Sequence, residues 1–115
     1  MTDDQPSRRP AVVPLKPNPD TFLARIQQLA ETTANVRWSY HARERMEERG
    51  ISIRVALTVI RHGAIMGQIE PGTSPGEWKA KIVRNVRGRR DVGVVVILVK
   101  DSRLFVKTVE WEDMR

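Results

Sequence analysis

The chain has 115 residues, enough for one domain with a modest core. Hydrophobic residues make up 40% and charged residues 30%, the balance of a soluble globular protein, and no apolar run approaches the length of a membrane span. Net charge is +6 and cysteine is absent, which excludes disulfide and thiolate chemistry, fits a reducing cytoplasm, and directs attention to anionic partners.

Five of the seven prolines fall within residues 1–19, among few large apolar groups and balanced charge. Residues 1–18 therefore read as a disordered or extended arm, followed by a single domain over 19–115. The opening MTDDQPSRRP also lacks the apolar stretch of a secretion signal. Asp20 is the expected N-cap of a first amphipathic helix. That helix carries Phe22, Leu23, Ile26, Leu29 and Ala30 at three- and four-residue spacing and runs to about Thr33. The β-prone VRWSY, residues 36–40, reads as a first strand or an extended lead-in. A second helix runs from about Tyr40 to a left-handed cap at Gly50. Ser52 caps a third, through Val55, Ala56, Val59 and Ile60 to His62-Gly63.

The apolar period then changes from helical to alternating. Ala64 to Glu70 predicts a strand, and PGTSPG, residues 71–76, a loop. Trp78, Ala80 and Ile82 alternate with Lys79 and Lys81, predicting a strand with one apolar and one basic face. Val92 to Val99 is apolar on both parities and predicts a central strand covered on both sides. Asp101-Ser102 makes a tight turn, and Leu104 to Trp111 pairs back antiparallel. The expected fold is α+β, with N-terminal helices packed on one face of a small three- to four-stranded antiparallel sheet.

Two groups of residues carry candidate chemistry. Between Lys79 and Arg90 lie six cations, Lys79, Lys81, Arg84, Arg87, Arg89 and Arg90, and no acid. Such a segment is either the electrostatic footprint of a nucleic-acid surface or the charged protection of a strand edge. On the second helix, at about 100° per residue, His41, Arg45, Arg49, Ala42 and Met46 form one continuous arc. That arc is either a structural ion-pair site or a place that holds an anion. In the second case His41, at the helix start where the macrodipole favours the neutral ring, suits a general base, and Arg45 and Arg49 suit phosphate. In the first, Arg45 and Arg49 pair with Glu70, Asp91 or Glu110. His62 reads as a helix terminator, and Trp78 and Trp111 as core residues rather than base-stacking platforms. His41, Glu44 and Glu48 recur at ligand-like spacing, but Arg45 intrudes on that stripe, so no metal is expected, and no motif calls for a cofactor.

HARERMEERGIS, residues 41–52, followed by a helix ending near His62-Gly63 and a basic β region ending in KTVEW, resembles the bacterial domain-of-unknown-function 4258 family over about residues 36–111. The likeness is carried by H-A-x-x-R-M-x-x-R-G (His41, Ala42, Arg45, Met46, Arg49, Gly50) and by the Thr108-Val109 pair. It implies a helices-then-sheet layout similar to the RelE-type toxins and ribonucleases, whose members cleave RNA without metal. Carried over by position, His41, Arg45, Arg49 and Thr108 are the candidate catalytic residues. Lys79, Lys81, Arg84, Arg87, Arg89 and Arg90 are the candidate nucleic-acid contacts. The expectation is a cytoplasmic protein that engages RNA as a metal-independent endoribonuclease toxin. The alternative is a non-catalytic module whose basic face binds nucleic acid or an acidic, antitoxin-like protein.

Overall fold

A computed structural model describes residues 15–88, 90–100 and 102–113. The N-cap of helix α1 (Pro19–Ala30) lies two residues before the expected Asp20: it is Asn18, whose side chain accepts from the amides of Asp20 and Thr21. Pro19 has no amide hydrogen to satisfy and has a helix-ready φ, so the first helical position suits it. The helix also stops earlier than the apolar period suggests. The Asn35 side chain donates to Leu29 O and Arg61 Nε donates to Ala30 O at 2.7 Å, so tertiary donors close its last carbonyls. A 3-10 turn (Thr33–Asn35) leads into β1 (Val36–Trp38), then α2 (Tyr40–Arg49) and α3 (Ile53–His62). Both later helices have the expected boundaries. Ser39 Oγ and Ser52 Oγ accept from the amides three residues on, and Gly50 ends α2 with φ of 66°.

Strands β2 (Ala64–Pro71), β3 (Trp78–Arg87), β4 (Arg90–Val99) and β5 (Arg103–Trp111) follow. The arm expected over residues 1–18 falls mostly outside the described residues; 15–18 form neither helix nor strand.

Among the described residues the sheet has five strands, in the order β1-β5-β4-β3-β2. It is therefore larger than the expected three or four strands, and it is mixed rather than antiparallel, because β1 pairs parallel with β5. Three residues suffice for β1: Val36 is buried and Trp38 packs on the core, while Arg37 points the other way. Beyond Val106 this edge of β5 has no strand partner among the described residues. There α2 runs alongside it, with Ser39 N donating to Val106 O and Ser39 Oγ to Lys107 O. An exposed strand edge is thus covered by a helix.

One core cluster joins Phe22, Ile26 and Leu29 of α1, Ala42 and Met46 of α2, and Ala56, Val59 and Ile60 of α3 to one parity of the strands: Ile82, Val92, Val94, Val96, Leu104, Val106 and Val109 among them. The opposite parity of β4, Gly93, Val95, Ile97 and Val99, lies outside that cluster. The expectation of a central strand covered on both sides does not hold. β4 is central, but the helices cover only one of its faces. Ile97 is nevertheless 7% exposed, because its neighbours in the row, Lys79 and Phe105, flank it from the adjacent strands.

Candidate functional site

The arc on α2 is a gradient from core to solvent. Ala42 and Met46 are buried, Arg45 and Arg49 half-buried, and His41 exposed. His41 stands in the first turn and Arg49 in the last, about 12 Å apart along the axis. Arg45 makes a 3.0 Å ion pair with Glu48 one turn on. Arg49 Nη1 donates to Val109 O at 2.9 Å, and Trp111 Nε1 donates back to Arg49 O at 2.8 Å. None of the acids expected for these arginines is the partner: Glu70 faces Lys79, Asp91 accepts from Asn85, and Glu110 holds Lys81. Thr108 is half-buried and pairs in register with Val95, on the sheet face away from Val109. The structure therefore brings Arg49 to the last strand and leaves His41 and Thr108 apart from that contact.

Three of the six cations in the basic segment face carboxylates. Lys79 Nζ lies 3.8 Å from Glu70, and Lys81 Nζ lies 3.1 Å from Glu110 and 3.0 Å from Glu112. Arg90 forms a fork-to-fork pair with Asp113 and sits 3.9 Å above the Trp111 ring. Arg84 donates to His62 O, the carbonyl at the end of α3. Arg89 and the Arg87 side chain lie outside the described residues. The acidic C-terminal turn thus clasps β3 and β4. The Glu112 side chain is 8% exposed, in the space left by Gly93, where a Cβ would overlap its carboxylate. Burial alone pulls the Lys81 ammonium down, but the hydrogen bonds and charges of Glu112 and Glu110 outweigh it and leave it above its ordinary 10.5. The hydrogen bond from Arg90 holds the Asp113 carboxyl below its usual value.

A third place escaped the sequence reading altogether. On the face free of helices, Arg37, Phe105, Ile97, Lys79 and Glu70 are successive register partners across all five strands. Phe105 is 37% exposed. Arg37 flanks it on β1, and Arg103 lies two residues before it on the same face of β5. Both arginines are exposed and make no ion pair with a described residue. With Thr73, Ser74 and Glu77 of the loop between β2 and β3, the two arginines, Phe105 and Ile97 line an open cleft of about 400 Å³. No periodicity links Arg37 to Phe105; only the parallel pairing of β1 with β5 places them side by side.

The histidine–arginine helix and the KTVEW strand, distant in sequence, are locked together by the reciprocal hydrogen bonds of Arg49 and Trp111. The family described as Domain of unknown function (DUF4258) has a model that matches residues 38–111. The chain belongs to that family. No curated protein and no solved structure is matched. In this DUF4258 chain the matched stretch runs from the last residue of β1 to the end of β5, so α1 lies outside it while still supplying Phe22, Ile26 and Leu29 to the core. The M-x-x-R-G part of the motif has a structural account here: Met46 anchors the helix, Arg49 ties it to β5, and Gly50 ends it. Among the described residues no helix is long and apolar enough to cross a membrane.

Proposed function

We propose that the protein engages single-stranded RNA across the uncovered face of its sheet, as a binding module. One observation carries the reading: an exposed aromatic ring, Phe105, stands between two arginines, Arg37 and Arg103, that no described acid neutralises. Single strands are held by this combination, bases stacking on an aromatic side chain while guanidinium groups take the phosphates. The cleft volume also falls in the range of roughly 300–1,000 Å³ usual for small-ligand sites. The Lys79–Arg90 segment contributes less to this reading than its composition suggests, since Lys79, Lys81 and Arg90 already face carboxylates.

The test is fluorescence anisotropy of a labelled uridine-rich octamer with the full chain in EDTA, over a salt series. Binding should weaken with salt at about 0.7 log units per neutralised phosphate for each log unit of salt. Arg37→Ala/Arg103→Ala should flatten that slope by about 1.4, and Phe105→Ala should cost about 1–3 kcal/mol. Salt-independent binding, or variants that bind like the wild type, would refute it. An acidic protein partner would compete at the same arginines and would leave RNA unbound.

A second reading, a metal-independent endoribonuclease toxin centred on His41, has its own support. The imidazole is exposed and hydrogen-bonds to no described residue, with the Arg45 guanidinium one turn on. It requires that a mixed RNA pool be cleaved in EDTA by the wild type and spared by folded His41→Ala.

A further inference from the structure

We infer that Glu77 makes the Phe105 cleft a guanine-reading subsite, an inference that rests on the RNA-binding reading above. A carboxylate lining a cleft for a polyanion is at first sight misplaced, since it repels phosphate. Glu77 does not neutralise the arginines either: it forms no ion pair with a described residue. Its conformation is nonetheless built. Gly72 N donates to Glu77 O at 2.7 Å, Glu77 N donates to Ser74 O at 3.1 Å, and Ser74 N donates to Glu77 Oε1 at 3.2 Å. The side chain folds over Gly72, where an added Cβ would lie 2.6 Å from Glu77 Cβ and 3.0 Å from Oε1. The loop therefore holds the carboxylate by one oxygen, and Oε2 makes no hydrogen bond to a described residue.

A carboxylate only accepts hydrogen bonds, so it selects for donors. Among the four bases, guanine alone presents two adjacent donors, N1–H and the N2 amino group, on its Watson–Crick edge. Adenine and cytosine present one amino group beside an acceptor nitrogen, and uracil one N–H between two carbonyls that a carboxylate repels. A base stacked on Phe105 in a single strand has that edge free to be read. Arg37 and Arg103, on the same face, then take the flanking phosphates, and Glu77 discriminates among the bases that the ring accepts without preference.

The experiment uses the full chain and labelled uridine octamers whose fourth residue is guanosine, inosine, adenosine or uridine. A two-bond contact of this kind gives a preference of roughly tenfold. The guanosine octamer is expected to bind about that much more tightly than all-uridine, with inosine, which lacks the amino group, in between. Glu77→Gln keeps an oxygen for Ser74 N and removes the charge. It should bring the guanosine preference below about twofold while all-uridine affinity stays equal or rises, with unchanged thermal melting. Equal affinity for all four octamers overturns the inference and leaves the RNA-binding reading standing. A guanosine preference that survives Glu77→Gln overturns the role of Glu77. No binding of any octamer overturns both readings together.

Discussion

Replacing Arg49 with alanine should destabilise the fold by about 2 kcal/mol, the middle of the range of about 1.5–3 kcal/mol for a hydrogen bond from a charged donor. The bond in question joins Arg49 Nη1 to Val109 O at 2.9 Å, at the edge of β5 left open where β1 ends. Val109 is fully buried, so its carbonyl finds no ready replacement for the lost donor. For a domain near 100 residues, each kcal/mol shifts the melting temperature by about 4–8 °C, and the expected drop is about 8–16 °C. Arg49→Met keeps the apolar stem and should fall nearly as far, because the bond rather than the packing is lost. The control is Arg45→Ala, which removes an exposed one-turn ion pair with Glu48 worth about 0.2–0.5 kcal/mol. The assay is thermal unfolding followed by circular dichroism. An Arg49→Ala melting temperature within about 2 °C of the wild type would sink this scaffold role. Loss of RNA affinity at unchanged stability would make Arg49 a phosphate ligand instead.

Two further outcomes follow from the same geometry. Ser39 both caps α2, accepting from Ala42 N, and donates to Lys107 O. Ser39→Ala should therefore lower stability by about 1–2 kcal/mol, read as a lower urea midpoint at unchanged slope; an unchanged midpoint would remove Ser39 from the α2–β5 seam. Lys81 is held above 10.5 by Glu112 and Glu110 against the opposing pull of burial. A raised cation contributes stability that is whole below pH 10.5 and is lost as pH rises through the folded value. The alkaline limb of stability against pH should flatten in Lys81→Gln, and superimposable limbs would contradict the clasp.

The helices and most of the strands were legible because their determinants are local. Ser39, Gly50 and Ser52 set the ends of α2 and α3 through bonds within a few residues, and alternation from Trp78 to Ile82 with the apolar run from Val92 to Val99 specifies strands whose hairpins need only short turns. Even the start of α1 was a local matter, decided by Asn18 before Pro19. The candidate site was legible only as an inventory of cations. Sequence places Lys79, Lys81 and Arg90 in a basic run, but strand register decides that Glu70, Glu110, Glu112 and Asp113 lie within reach of them. Sequence likewise puts Arg49 beside the buried stripe of its helix, while its partner, the carbonyl of Val109, is a backbone atom that no side-chain pattern announces. The Phe105 cleft depends on the parallel pairing of β1 with β5 and on the loop that carries Glu77. Capping and periodicity, being properties of neighbouring residues, were thus determined by the sequence alone. Which cations keep their charge available, and which side chains share a cleft, was decided by long-range pairing that exists only once the sheet has closed.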